Sequence, residues 1–307
     1  MERMMTAAPT PIRTTLDTRG PYDLREVALM GFGHRDEHEF DGVMRLAFCV
    51  DGDCERQVGV EVRQSDYQLD LRIHPGWADA PIDHGVAVIA SQVARVVSVD
   101  HDGAAFVRIC QTDPVLSQLQ GVAPGFRPAL FYSPYEAAVW SILSARRARS
   151  QAITLRAKLS EAYGASFDLA GRKTVALPTP SAFLSVHSFP GLPADRIPRL
   201  HALARAAQEG RLSAERLAAM KPEEARNDLQ QLPGIGPFYS ALIVIRACGH
   251  ADVLPLDETM SRSAAAELYG WRSDPTDEEY ATFAERWRPF RTWAAVMIRA
   301  VGPRLST

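Results

Sequence analysis

Cysteine is scarce. The 307 residues carry four, Cys49, Cys54, Cys110 and Cys248. They are too few and too scattered to frame a disulfide scaffold, which favours a reducing compartment. Cys49 and Cys54 flank Val50-Asp51-Gly52-Asp53, a turn between strands, and read as a cross-strand thiol pair rather than a metal site. No apolar run is long enough to span a bilayer, so no membrane association is expected. Residues 1–20, MERMMTAAPTPIRTTLDTRG, hold no continuous apolar segment of the kind a signal peptide needs. They are expected to form a flexible leader on a cytoplasmic, monomeric protein. A strong excess of one charge is also missing, the formal net charge being -3. Screening beyond ~8 Å at physiological salt makes local basic patches matter more than this total, so a nucleic-acid partner is not excluded. What the chain does have is 46% hydrophobic content, enough over this length for two or three domains with cores of their own.

From residue 21 to 108 the pattern is that of an α+β domain. Segments 43–50, 58–62 and 67–73 alternate and are β-branched, with Asp51-Gly52-Asp53 and Gln64-Ser65-Asp66 as turns, and 86–99 reads as a helix packed on the resulting antiparallel sheet. His34-Arg35-Asp36-Glu37-His38 satisfies H-x-x-E-H, a zinc peptidase pattern. Gly31 and Gly33 just before it, and Phe40-Asp41-Gly42 entering a strand just after, leave no room for the helix such a site needs. A solvated polar turn is expected instead.

From 109 to 307 the chain reads as helical, in two subdomains. Pro134 opens a helix with Tyr135, Ala138, Val139, Ile142 and Leu143 on one face, broken around residues 144–150 and resumed to Tyr163. Thr276 and Glu279 form a capping box, and a last helix runs from about Phe290 to Val301. Between these lies the densest signal, the hairpin 229–241. Pro222 suits the first turn of its leading helix, Pro233 is expected to end that helix, and a second starts at Pro237 or Phe238. Gly234 and Gly236 are expected to take backbone angles closed to other residues. They would also let a phosphate approach amides at the positive end of the second helix. Taken alone, a G-x-G between helices fits an ordinary helical hairpin as well. After the second helix, the loop 253–260 carries Asp257 just before another helix, where it reads either as an N-cap or as a catalytic carboxylate.

Leu232-Pro233-Gly234-Ile235-Gly236, a helix, then an aspartate after Val253-Leu254-Pro255-Leu256 resembles the helix-hairpin-helix DNA glycosylase superfamily. Segments 134–163, Leu177-Pro178-Thr179-Pro180 and 287–293 resemble its bacterial inducible 3-methyladenine glycosylase branch, so the similarity spans roughly 21–301. The resemblance implies monofunctional excision of alkylated or otherwise damaged purines from double-stranded DNA, with Asp257 catalytic and Glu258 pointing elsewhere. It also implies DNA binding by backbone amides of Gly234, Gly236 and Tyr239. A sodium or potassium ion would bridge the carbonyls of Gln230, Leu232 and Gly234 to the phosphate. Lyase relatives have a lysine where this chain has Phe238. Iron–sulfur relatives have four cysteines after the catalytic helix, where none follows Cys248, so no cluster is expected.

Two positions depart from the branch. Arg146 stands where an apolar wedge fills the hole left by a flipped base, and with Arg147 and Arg149 it reads as meeting DNA, by stacking or by phosphate contact, or as part of a solvated helical face. Arg299 stands where an aromatic ring would hold a cationic purine, leaving Trp140, Phe238 and Tyr239 as stacking surfaces, though each fits the core equally well. These departures keep a second reading open: a damage-recognition protein with little excision activity.

Overall fold

The computed structural model describes residues 10–35, 39–77 and 82–305. The chain begins with β1 (Ile12–Asp17), α1 (Leu24–Leu29), β2 (Met44–Val50), β3 (Asp53–Ser65), β4 (Gln68–Pro75) and α2 (Ile82–Val96). The four strands form one antiparallel sheet in the order β1-β4-β3-β2. Here the leader expectation fails for residues 12–17. They pair with β4 from Ile12 against Ile73 to Asp17 against Gln68, with Ile12, Thr14 and Leu16 turned to the less exposed side. Leu46, Phe48, Val60, Leu71 and Ile73 meet Val27, Ile89 and Val93 in the core between sheet and helices.

The thiol pair also needs correcting. An irregularity between Cys49 and Val50 sets Cys49 opposite Gln57 and Val50 opposite Asp53, so Cys54 is not the cross-strand partner of Cys49. Both thiols are free and buried.

Next come α3 (Gly103–Thr112), α4 (Pro114–Val122), α5 (Pro134–Ser144), α6 (Arg149–Tyr163), β5 (Ser166–Leu169), β6 (Arg172–Val175), α7 (Pro180–Leu184), α8 (Ile197–Gln208) and α9 (Ala214–Ala218). The chain continues through α10 (Pro222–Leu229), α11 (Pro237–Ala247), α12 (Thr259–Leu268), α13 (Asp277–Ala284) and α14 (Arg291–Val301). The helical half is thus not purely α. The β5–β6 hairpin turns at Ala170-Gly171, both at positive φ, and lays Phe167 and Leu169 on Ala47. A Cβ at Gly59 would stand 2.7 Å from the Phe167 ring, so glycine there lets the small hairpin close on the sheet.

Two helical cores follow. One gathers Ala138, Leu143, Leu155, Leu203, Leu229 and Val244 from α5, α6, α8, α10 and α11. The other joins Phe106 and Leu119 of α3 and α4 to Ala265, Tyr280, Trp293 and Ile298 of the last three helices. The capping box is present: Thr276 Oγ1 accepts from the Glu279 amide at 3.2 Å, and Glu279 accepts from the Thr276 amide at 2.8 Å. Among the described residues no helix is long and apolar enough to cross a membrane.

Candidate active site

The hairpin links α10 to α11. Pro222 and Pro237 occupy the first turns of the two helices, where a missing N–H costs nothing. The leading helix ends at Leu229, before Pro233 is reached, because the chain tightens into short turns: Gln231 donates to Asp228, and Leu232 to Leu229. The two glycines have different reasons to be glycine. Gly234 lies at φ +90, and a Cβ there would fall 2.6 Å from Ile142 Cδ1 and 3.1 Å from Arg199 Cδ. Gly236 lies at φ -93, an angle open to any residue, and its Cβ would meet nothing within 4 Å. Its backbone freedom is therefore not what the fold uses, contrary to the sequence expectation. What it leaves is open space beside the amides.

Those amides are unsatisfied. The N–H groups of Gly234, Gly236, Phe238 and Tyr239 donate to no acceptor among the described residues, and α11 has no side-chain cap. Together they present the positive end of a helix with free donors, an anion-binding arrangement. Arg199, whose side chain brushes Gly234, adds a half-exposed cation, balanced in part by Asp195 at 3.2 Å.

Ten residues past Ala247, the last residue of α11, the loop 253–260 brings Asp257 to the lip of a cavity of about 420 Å³. Ala241, Leu242 and Ile245 of α11 form one apolar wall, and Pro255, Met260 and Val296 the other. Phe238 and Met260, both exposed, stand at its edges. Arg246, Glu258 and Arg299 complete the lining. The cavity thus lies between the two helical cores, within the size range of small-molecule pockets.

Asp257 is not an N-cap. Glu258 holds that position for α12, with no capping hydrogen bond from its side chain. Asp257 Oδ2 instead accepts from Arg226 Nη2 of α10 at 2.8 Å. The side chains of this pair are 33% and 22% exposed, so the carboxylate is held in place yet reachable from the cavity. Glu258, expected to point elsewhere, lines the same cavity, accepts from the Ser261 hydroxyl, and pairs with Arg299 at 3.2 Å.

No family model matches the chain. It is 28% identical over 277 residues to the probable bifunctional transcriptional activator/DNA repair enzyme AlkA of Mycobacterium tuberculosis, covering 83% of this chain and 53% of that protein. To the DNA-3-methyladenine glycosylase of Bacillus subtilis it is 22% identical over 214 residues, covering 67% and 69% respectively. The 3-methyladenine DNA-glycosylase from Archaeoglobus fulgidus superposes with a TM-score of 0.74 at 20% identity, over 95% of this chain and 99% of that one. The chain is thus similar in sequence to DNA-3-methyladenine glycosylases and shares the fold of the archaeal one. It spans about half the length of the mycobacterial relative.

Within this glycosylase fold the remaining expected residues separate. Of the stacking candidates, Phe238 and Arg299 reach the cavity. Trp140 does not: α5 is buried on every side, which puts Trp140 in the core at 7% exposure. Tyr239 packs against that same core, its hydroxyl 3.2 Å from Ser144 Oγ. Of the three arginines at the break between α5 and α6, Arg146 is exposed, sits at φ +52 and makes no hydrogen bond or ion pair among the described residues. Arg147 donates to the Gly191 carbonyl at 3.0 Å, and Arg149 to the Gly31 and Arg35 carbonyls at 2.8 and 2.6 Å. These two tie segments of the fold together rather than standing free for a ligand. The break itself is held by Arg196, which donates to the carbonyls of Ile142 and Ala145 at 2.5 and 2.6 Å.

Sequence reasoning missed Arg196, Arg226 and Arg246 and underrated Glu258. No spacing rule marks Arg226, since its partner lies 31 residues away across the hairpin. In the H-x-x-E-H stretch, Glu37 and His38 lie outside the described residues. Among the described residues no three His, Cys, Asp or Glu side chains come together as a metal site.

Proposed function

We propose that this chain is a monofunctional DNA glycosylase that removes damaged purines from double-stranded DNA. The observation that carries the reading is the placement of Asp257 on the lip of a largely apolar cavity, beside a hairpin with four unsatisfied amides. The hairpin takes a phosphate, the damaged nucleotide turns out of the stack, and the cavity receives its base. As the bond between the base and C1′ breaks, positive charge grows on the sugar in front of Asp257. At ~4 Å and an effective dielectric of ~20 a carboxylate stabilises such a charge by ~4 kcal/mol, roughly a thousandfold in rate. Water then adds to C1′, with Asp257 orienting it.

The absence of lyase chemistry belongs to the same proposal. Phe238 stands at the cavity edge and no lysine lines it, so no amine is placed to attack the sugar. At the hairpin, the carbonyls of Gln230, Leu232 and Gly234 are hard oxygen donors of the type a monovalent cation takes. They would hold such an ion between loop and phosphate, where its charge would strengthen the grip. Incubation with duplexes that each carry one defined lesion, followed by alkali, tests the reading. Strand cleavage that appears only after alkali is expected. Cleavage without alkali would reveal a lyase, and none across alkylated, deaminated and oxidised purines would leave a damage-binding protein.

A further inference from the structure

The turn that joins α5 to α6 holds one residue in a conformation it would not choose. Ala145 lies at φ -53 and ψ 126, Arg146 at φ +52, and the Arg147 amide donates to the Ser144 carbonyl at 3.1 Å. These are the marks of a type II turn, whose third residue is ordinarily glycine or asparagine. Arg146 stands there instead. A type I turn would close the same residues with a negative φ at Arg146. The two turns differ chiefly by rotation of the peptide between Ala145 and Arg146. With an L-residue at that position the peptide rotates toward type I unless the surrounding structure holds it.

Arg196 holds it. This residue stands just before α8, and its guanidinium spans the end of α5. Nη1 donates to the Ile142 carbonyl at 2.5 Å and to that of Leu143 at 3.3 Å, and Nη2 to the Ala145 carbonyl at 2.6 Å. The first two are among the carbonyls that a helix end leaves without an internal donor. The third belongs to the very peptide whose rotation separates the two turns. The turn also lies beside the hairpin: Ser144 Oγ is 3.2 Å from the Tyr239 hydroxyl, and the Tyr239 amide is one of the free donors there. Arg146 is exposed next to this anion-binding surface.

We propose, on the reading that the chain extrudes a damaged nucleotide, that Arg196 is a positioning residue for that step. By pinning the Ala145–Arg146 peptide it aims the Arg146 side chain at a duplex held by the hairpin. Without the clamp the peptide rotates, Arg146 relaxes to negative φ, and its Cα–Cβ bond swings away from that aim. Arg196 thus acts through Arg146 and not on a phosphate of its own.

The fluorescence of a base analogue placed beside a lesion reports extrusion, and Arg196→Gln in the full chain is the test. Extrusion should fall about five- to thirtyfold, the factor by which a left-handed L-residue is disfavoured. Affinity for undamaged duplex and its salt slope should stay at the parental values. Arg196→Lys, which keeps the charge but cannot span both ends of the clamp, should lie between the two, and it carries the test if the glutamine variant does not fold. In an Arg146→Ala background, exchanging Arg196 should slow extrusion no further, because the side chain it aims is gone. A merely structural role would add the two losses. Parental extrusion in Arg196→Gln, or in Arg196→Lys where that variant carries the test, overturns the proposal. So do additive losses, or a salt slope reduced by about one, which would make Arg196 a phosphate contact. If any of these comes from a protein that excises in an Asp257-dependent way, the glycosylase reading stands and only the positioning fails. A parent that neither extrudes nor excises overturns both.

Discussion

Exchanging each hairpin glycine for alanine separates two roles that one motif conceals. At Gly234 the added Cβ must adopt φ +90, which costs an L-residue about 1–2 kcal/mol. It must also displace Ile142 Cδ1, only 2.6 Å away in a side chain that is 2% exposed and has little room to retreat. Overpacking of that kind adds about 1–3 kcal/mol. Gly234→Ala should therefore lose about 2–5 kcal/mol, a clear fall in the midpoint of urea denaturation. At Gly236 the backbone is ordinary and the space empty, so Gly236→Ala should leave stability within about 0.5 kcal/mol of the parent or raise it slightly. Its methyl group would instead stand where a phosphate must approach. Losing one charge-assisted hydrogen bond costs about 1.5–3 kcal/mol, so duplex affinity by fluorescence anisotropy should fall about tenfold or more. The fall should be alike for every sequence, because phosphate contacts carry no base information. Two results would refute the reasoning: Gly234→Ala as stable as the parent, or Gly236→Ala with parental affinity.

Three further outcomes follow from neighbouring geometry. Arg226→Gln should slow single-turnover excision by about tenfold while leaving lesion-duplex affinity unchanged, because Asp257 loses the contact that orients it. Arg226→Lys should restore part of the rate, and a parental rate in Arg226→Gln would remove Arg226 from the site. Arg146→Ala should impair base flipping, read with a fluorescent base analogue, more than it weakens nonspecific binding. Equal losses, with a salt slope reduced by about one, would make Arg146 a phosphate contact only. Burial holds His34 and His250 below the ordinary histidine value of 6.5, so the folded state stays neutral where the unfolded chain takes up protons. Their stabilising contribution is complete above pH 6.5 and is lost as pH falls below it. Between pH 7 and 5.5 the parent should lose more unfolding free energy than His250→Leu, and parallel pH curves would contradict this.

Local rules carried the reading furthest where function rests on backbone. The prolines that open α5, α10 and α11, the capping box at Thr276 and the turn at Gly234 are short-range features, and each stands close to where its residues predict. Side-chain partnerships across the fold were not legible. Asp257 meets Arg226 only because the hairpin folds α10 back beside the loop, and no periodicity encodes that approach. Trp140 is an aromatic that the sequence leaves open to pocket or core, and α5, enclosed all round, hides the ring in the core. The strand at 12–17 was hidden by its polar alternate residues, which are normal at a sheet edge. The β5–β6 hairpin was hidden by its brevity, four residues a strand.

Asp257→Asn bears most directly on the assignment, because it keeps the shape of the side chain and removes its charge. Measured at saturating protein on a duplex whose lesion the parent removes, single-turnover excision should fall by about two to four orders of magnitude. Affinity for the same duplex should hold, since the hairpin amides and Arg146 are untouched. A variant that excises at the parental rate would contradict the account, and the charge acting on the sugar would have to come from another residue.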